Sequence, residues 1–330
     1  MNIKEYSEKM KKAVQNYYGE KVTVILNEVT KNNGIILQGI SIRETDRNIS
    51  PTIYLNRFYE EYEEGETFAG CVRELVRIYE ENKADTDINM DFFTDYEAVK
   101  KRLAYKLINY EKNEELLKEI PHIKYLDLAI VFYCLVANEL IGNATVLIRH
   151  NHCRIWNVTV EELYENAKVN TPRLLPYEIQ NMEDVMHTIL LDNLRKEYAA
   201  AGIEEMNADT QEADQEWMEH MVDQMIREAV GENQVPMYVL SNQGRVLGAA
   251  CILYHNVMKE LSERMKKDFY VLPSSIHELI LIPVQERDER LDLNEMVQEV
   301  NLTQVDAEEV LANHAYYYSR ITGKLSVVCQ

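Results

Sequence analysis

The chain has 330 residues, 46% hydrophobic and 28% charged, with only 11 glycines and 7 prolines, a globular composition that excludes long linkers and low-complexity architecture. A formal net charge of −21 sets the surface against nucleic-acid phosphates and anionic lipid, so neither nucleic acid nor membrane is an expected partner. At this length two domains or one elaborated domain are both open.

Cys71, Cys134, Cys153, Cys251 and Cys329 are odd in number and widely spaced, with no CxxC pair. That usage suits a reducing cytosol. Met1–Tyr6 lacks the apolar core of a signal peptide, and the longest apolar run, Leu128–Ala137, is far short of the roughly 20 residues of a membrane span. A cytoplasmic location is the expectation.

Ile3, Tyr6, Met10, Val14 and Tyr17 recur at helical spacing over 3–18, and Asn2 with Glu5 has the chemistry of a capping box. Val22–Leu26 and Ile35–Ile42, joined by Lys31-Asn-Asn-Gly34, read as a hairpin with an Asn-Gly turn. Ser50–Leu55 is a short strand. Asn56 is placed to cap a helix over 57–63 that stops at Gly65, and Thr67 to cap a stronger one whose apolar face is Phe68, Cys71, Val72, Leu75, Val76 and Tyr79. Thr94–Arg102 is expected as a helix and Leu103–Tyr110 as a strand.

Leu126–Val136 is continuously apolar and rich in β-branched and aromatic residues, which favours a buried strand. Strands are expected over 144–148 and 153–158, on either side of Arg149-His-Asn-His152. Thr159 with Glu162 forms a capping box for a helix that Asn170-Thr-Pro172 should stop. A helix follows over 181–198. Residues 203–232 carry ten acidic residues and one arginine. Their second half is amphipathic, with Met218, Met221, Val222, Met225 and Ile226 on one face. Such a methionine stripe docks on its own domain or, as the adaptable thioether allows, binds a partner.

From Val235 to Val284 the pattern reads strand (236–240), turn, strand (248–253), helix (256–266), strand (269–272), strand (278–283). A helix near 292–300, another that Asp306 can cap through Leu311, and a hairpin of 315–318 with 325–328 complete the chain. The fold class is therefore α+β, or mixed α/β. A hairpin and helices fill an N-terminal region, 1–112, ahead of a larger sheet-and-helix region, 113–330, with an acidic helical insertion near 203–232. The boundary rests on the polar run Glu111–Glu115.

GxGxxG, GxxxxGK[ST], HExxH and GxSxG are absent, which lowers the odds of nucleotide binding, zincin proteolysis and α/β-hydrolase chemistry. No cofactor is expected. Ser274, Ser275 and His277 are the most enzyme-like cluster, since a hydroxyl beside an imidazole is a nucleophile with its base. Against this, a strand starting by Ile276 would point His277 and Glu278 to opposite faces, and Pro273-Ser-Ser reads equally as a turn whose hydroxyls satisfy the backbone. His150 and His152 share a face if the segment is extended and would then offer two metal ligands; zinc needs three or four, and His122 is the nearest spare. Asp85, Asp87 and Asp91 read as a solvated loop, without the glycine and terminal glutamate of an EF-hand.

Ile49-Ser-Pro-Thr-Ile-Tyr-Leu-Asn-Arg-Phe-Tyr-Glu-Glu-Tyr62, Tyr270-Val-Leu-Pro-Ser-Ser-Ile-His-Glu-Leu-Ile-Leu-Ile-Pro283, Asp127–Val131 and Trp156–Tyr164 resemble a family of uncharacterised bacterial proteins, a domain of unknown function frequent in gut anaerobes. The resemblance covers nearly the whole chain, implies a bacterial cytoplasmic protein and assigns no catalytic residue. The expected function is a non-enzymatic binding or regulatory protein, for an unidentified protein or small molecule. The alternative is a hydrolase using Ser274 or Ser275 with His277. Met218, Met221 and Met225 are the candidate partner-binding residues.

Overall fold

The computed structural model describes residues 1–45, 47, 50–83, 91–138, 142–200, 208–230, 235–273, 275–285 and 292–328. Two compact units emerge, Met1–Ile123 with Ile130–Asn170, and Lys124–Ala129 with Thr171–Gln330. Helices and antiparallel sheets are both present, as an α+β fold requires.

In the first unit α1 (Ile3–Tyr18) starts with the expected capping box: the Glu5 N–H donates to Asn2 Oδ1 at 2.9 Å and the Asn2 N–H to Glu5 Oε2 at 3.2 Å. Tyr6, Met10 and Val14, spaced by four, are buried. Asn2→Ala should lower stability by about 1 kcal/mol, the usual worth of an N-cap; urea unfolding decides, and an unchanged midpoint would refute the capping role. β1 (Val22–Thr30) and β2 (Ile36–Glu44) pair antiparallel, Val24 opposite Ile42 and Leu26 opposite Ile40. Asn33 and Gly34 turn the hairpin at φ 60° and 70°, the left-handed conformation these residues tolerate best. β3 (Thr52–Tyr54) adds an edge to β2.

α2 (Asn56–Glu63) begins one residue early, because Asn56 Oδ1 accepts from the Gln38 N–H of β2 and caps nothing. Thr67 does cap α3 (Phe68–Asn82). Cys71, Leu75 and Tyr79 then meet α1 and the hairpin in one core, where the Tyr6 hydroxyl donates to the Phe58 carbonyl and Tyr79 to that of Ile42. The helix expected over 94–102 is a single turn, α4 (Tyr96–Val99), between three-ten turns.

β4 (Leu103–Asn109), α5 (Glu114–Leu117), β5 (His122–Tyr125), β6 (Leu128–Asn138) and β7 (Gly142–Leu147) follow, with β6 joined to β4, β5 and β7 in one sheet. The polar run 111–115 lies between β4 and β5, and the two compact units change over after Ile123, after Ala129 and after Asn170. The strand expected over 153–158 is a helix, α6 (His150–Trp156). Its sequence has no strong period; the decision comes from Phe93, whose ring packs edge-on against His152 and Trp156 and whose carbonyl takes the Trp156 Nε1–H at 3.0 Å. Thr159 and Glu162 exchange both capping bonds at the start of α7 (Val160–Leu174), which runs through Pro172 instead of stopping there.

The second unit is built on a six-stranded antiparallel sheet, in the order β13-β12-β10-β11-β9-β8. Along the chain its elements are β8 (Tyr177–Asn181), α8 (Met182–Ala200), α9 (Ala208–Val230), β9 (Tyr238–Asn242), α10 (Val257–Met265), β10 (Phe269–Leu272), β11 (Leu279–Pro283), α11 (Leu293–Thr303), β12 (Tyr316–Ser319) and β13 (Lys324–Val327). Phe269 lies opposite Tyr318 and stacks on it at 5.0 Å, with Val271 opposite Tyr316 and Leu281 on the same face. The other face carries Tyr270, Leu272 and Ile282 and is covered by Leu293 and Val297 of α11, which Asp292 caps.

Two expectations fail here. Gly248–Leu253 is a buried three-ten segment, not a strand. An apolar run of this length reads the same whether it is a strand or any other buried segment. No helix follows Asp306: a single turn closes from the Glu309 N–H to the Asp306 carbonyl.

Candidate functional site

Ser275 and His277 sit in a corner laced by backbone bonds. The Ile276 N–H donates to Glu309, the Ala249 N–H to Ile276, and Ser241 Oγ to the His277 carbonyl at 2.7 Å. Ser275 Oγ accepts the His277 N–H at 3.0 Å. His277 Nδ1 accepts the Leu247 N–H at 3.1 Å, so the ring proton is on Nε2, which meets Glu309 at 3.2 Å. The imidazole nitrogen that would take a serine proton is already occupied by a backbone donor. The hydroxyl bond to the backbone is the turn chemistry that Pro273-Ser-Ser suggests. Ser274 lies outside the described residues.

On helix α6, His150 and His152 are two apart, about 200° around the axis, and cannot share a ligand. His150 is exposed, whereas His152 Nδ1 accepts the Arg149 N–H at 3.1 Å. Burial first, then the Arg149 charge, hold the His152 imidazole below its ordinary pKa. Among the described residues no group of three or more His, Cys, Asp or Glu is placed to hold a metal. Asp85 and Asp87 lie outside them, as does the Asp91 side chain. Burial pushes the thiols of Cys134 and Cys251 up to about 11 and about 12, which makes them inert packing groups at neutral pH; Cys329 is not described.

Two side chains that the sequence did not flag converge on Asp127. Its Oδ1 accepts from the Tyr316 hydroxyl at 2.9 Å and its Oδ2 lies 2.9 Å from His314 Nε2; the other imidazole nitrogen is 3.3 Å from the Ala315 carbonyl. The bond to Asp127 raises the His314 pKa. Burial pushes the Asp127 carboxyl up, but the bond and charge of His314 with the Tyr316 hydroxyl outweigh it, and its pKa falls below the ordinary value. Both ring nitrogens face acceptors, an arrangement that favours the imidazolium paired with the carboxylate and leaves both nitrogens engaged by the protein's own oxygens. It ties the turn ahead of β6 to the start of β12. A nearby hollow of about 260 Å³ lined by Tyr125, Tyr254, Lys259 and Tyr318 is smaller than the roughly 300–1,000 Å³ of most small-molecule sites.

The exposed side of α9 has a different character. Val222, fully buried, Ile226, 8% exposed, and the half-buried Met218 face Leu191, Met186, Leu190 and Leu194 of α8 in a narrow core. One residue earlier in each turn runs a second stripe: Trp217, 46% exposed, Met221, half-buried, and Met225, 43% exposed. Spacing by four sets these three in a row about 12 Å long, about 100° around the helix from the covered row. The Trp217 ring centroid lies 5.8 Å from that of Tyr198. Of the expected methionines, Met218 belongs to the packed row and Met221 and Met225 to the open one.

A model of a family of unknown function, DUF5688, matches residues 3–320. The chain belongs to that family. The match embraces every segment that carries the resemblance seen in the sequence and extends across both compact units, stopping short of β13. No curated protein and no solved structure matches the chain. No helix among the described residues is long and apolar enough to cross a membrane.

Trp217 is the member of the α9 surface that the sequence reading missed. The signal was present, Trp217, Met221 and Met225 at i, i+4 and i+8, but it merges with the buried row one residue later into a single broad apolar arc. Which half of such an arc is covered depends on the neighbouring helix.

Proposed function

We propose that this is a non-enzymatic binding or regulatory protein of the bacterial cytoplasm, and that it meets a protein partner along Trp217, Met221 and Met225. The observation that carries the reading is that stripe: three large apolar side chains in register on a helix whose other apolar row is already satisfied. Tryptophan and methionine are the residue types enriched at such surfaces, the first for contact area and the second for adaptability. The widely spaced cysteines and the family resemblance support the compartment. The hydrolase alternative is weakened by the backbone bonds that engage Ser275 Oγ and His277 Nδ1.

Trp217→Ser combined with Met225→Ser should leave the unfolding midpoint within about 0.5 kcal/mol of the parent, as surface substitutions usually do, while abolishing recovery of a stoichiometric partner from native lysate. Equal recovery by parent and variant, or none by either, would remove the basis for this reading.

A further inference from the structure

Every residue of β4 is buried except Lys106, which is half-buried. Among the described residues Lys106 has no hydrogen-bond or ion-pair partner. Lys83, Lys100, Lys118 and Lys259, by contrast, each pair with a glutamate three or four residues away, and such a partner holds a lysine as the ammonium ion. What stands near Lys106 instead is a second lysine. The Asn33 N–H donates to Asn113 Oδ1 at 2.8 Å, and Asn113 Nδ2 donates to Asn33 Oδ1 at 3.1 Å and to the Asn109 carbonyl at 2.8 Å. These bonds tie the turn between β1 and β2 to the last residue of β4. Lys31, at the start of that turn, is brought close enough for its charge to bear on Lys106, while its Nζ stands 4.4 Å from the centre of the Tyr54 ring of β3. We infer that Lys106 is a reactive amine that condenses reversibly with a small carbonyl compound bearing an anionic group.

A lysine attacks a carbonyl carbon only as the free amine, and two circumstances produce one near neutral pH: an apolar surround and a neighbouring cation. Lys106 has both. Ala104 and Ile108, which share its face of the strand, are inaccessible. Burial first, then the charge of Lys31, pull the Lys106 ammonium below the ordinary lysine pKa. An unpaired ammonium in such a place is costly, and losing the proton relieves the cost. In the reaction the Nζ lone pair forms a bond to the carbonyl carbon, whose π pair moves to oxygen. The carbinolamine then expels that oxygen as water, taking both hydrogens of the neutral amine, and an imine remains with nothing oxidised or reduced. Lys31 supplies the selectivity. Its positive charge draws a carboxylate or phosphate on the incoming molecule toward the amine, in a chain whose net charge of −21 elsewhere repels anions.

The test incubates the full chain with glyoxylate, glycolaldehyde phosphate or neutral glycolaldehyde in the presence of cyanoborohydride, which reduces the imine to a stable secondary amine. Peptide mass spectrometry then gives the labelling rate at each lysine. Lys106 should be labelled several-fold faster than the exposed Lys4 and Lys259. At least one anionic aldehyde should outrun glycolaldehyde there, and the faster of the two names the anion. Lys31→Met should slow labelling of Lys106 several-fold and remove its preference for the anionic aldehydes. Lys106→Met keeps an unbranched apolar stem and should abolish the fast phase while leaving the slow labelling of other lysines unchanged. The site-resolved rates of the parent decide the matter even where that variant fails to fold. Labelling of Lys106 no faster than that of Lys4 and Lys259 would overturn the reactive amine. Glycolaldehyde as fast as either anion at a fast-reacting Lys106 would overturn the anionic class, and a preference that survives Lys31→Met would overturn the part given to Lys31. These outcomes are independent of the stripe on α9, which belongs to the second unit.

Discussion

Gly248→Ala should destabilise the second unit by about 3 kcal/mol or more, the upper range for overpacking a closed interior. A Cβ at position 248 would stand 2.1 Å from Ser241 Oγ, 2.5 Å from the His277 carbonyl oxygen and 2.7 Å from the Asn242 nitrogen. Two of those three atoms are backbone, and the third is held in place by its own bond to the His277 carbonyl. The glycine is required by close approach of chains, since its φ is not in the left-handed region that glycine alone favours. Its neighbour carries the conformational strain: Leu247 sits at φ 57°, held there by its N–H bond to His277 Nδ1. A bulky residue in that region persists only where its surroundings over-determine it. Urea unfolding followed at Trp217, which belongs to this unit, gives the measurement. Ser241→Ala in the Gly248→Ala background should restore only part of the loss, because it relieves the hydroxyl and leaves both backbone atoms in place. A midpoint within about 0.5 kcal/mol of the parent, the range of a neutral surface change, would show that the corner is not closed as described.

That corner also marks the limit of what the sequence discloses. Elements whose decision is local were legible. Asn2 with Glu5, Thr67, and Thr159 with Glu162 each bond a backbone group within three residues, and the caps form as their spacing suggests. The β1–β2 hairpin follows from Asn33-Gly34 and two alternating runs. Elements settled by distant contacts were not. Gly248–Leu253 has the apolar run of a strand, but the approach of Ser241 and His277 to Gly248 curls it into three-ten turns. Residues 150–156 become helical against Phe93, some sixty residues earlier in the chain. The site divides in the same way. The amphipathic helix and its methionines could be read locally, whereas the exposure of Trp217 depends on how far α8 reaches across α9. Asp127 and His314, 187 residues apart, share no local pattern at all.

The clamp at Asp127 supplies the other large effect, and its dependence on pH has a definite shape. Asp127→Asn keeps the side chain's size but replaces one acceptor oxygen with a donor. His314 Nε2–H and the Tyr316 hydroxyl both point at that group, so one of them, the nearly inaccessible Tyr316 hydroxyl or the imidazolium, loses its partner. An unpaired buried hydroxyl, or a charge deprived of its counterion, costs about 2–3 kcal/mol, less here because His314 and Asp127 are a quarter to a third exposed and partly screened. The folded-state pKa of His314 is raised. Its contribution is therefore complete below the ordinary imidazole value of about 6.5 and fades as pH climbs through the raised one. The folded-state pKa of Asp127 is lowered, so its contribution is complete above the ordinary carboxyl value of about 3.9 and fades as pH falls through the lowered one. The parent's advantage over Asp127→Asn should thus be greatest between about pH 4 and 6.5. It should decline on the alkaline side without vanishing, because neutral imidazole still donates its Nε2–H to the carboxylate. Tyr316→Phe removes a neutral donor and leaves the ion pair intact, so its smaller loss should be flat through the same range. Unfolding midpoints of the three proteins from pH 4 to 9 carry the test. A constant difference between parent and Asp127→Asn over that range would mean that His314 is not charged in the folded protein, and the clamp would then be an ordinary neutral hydrogen bond.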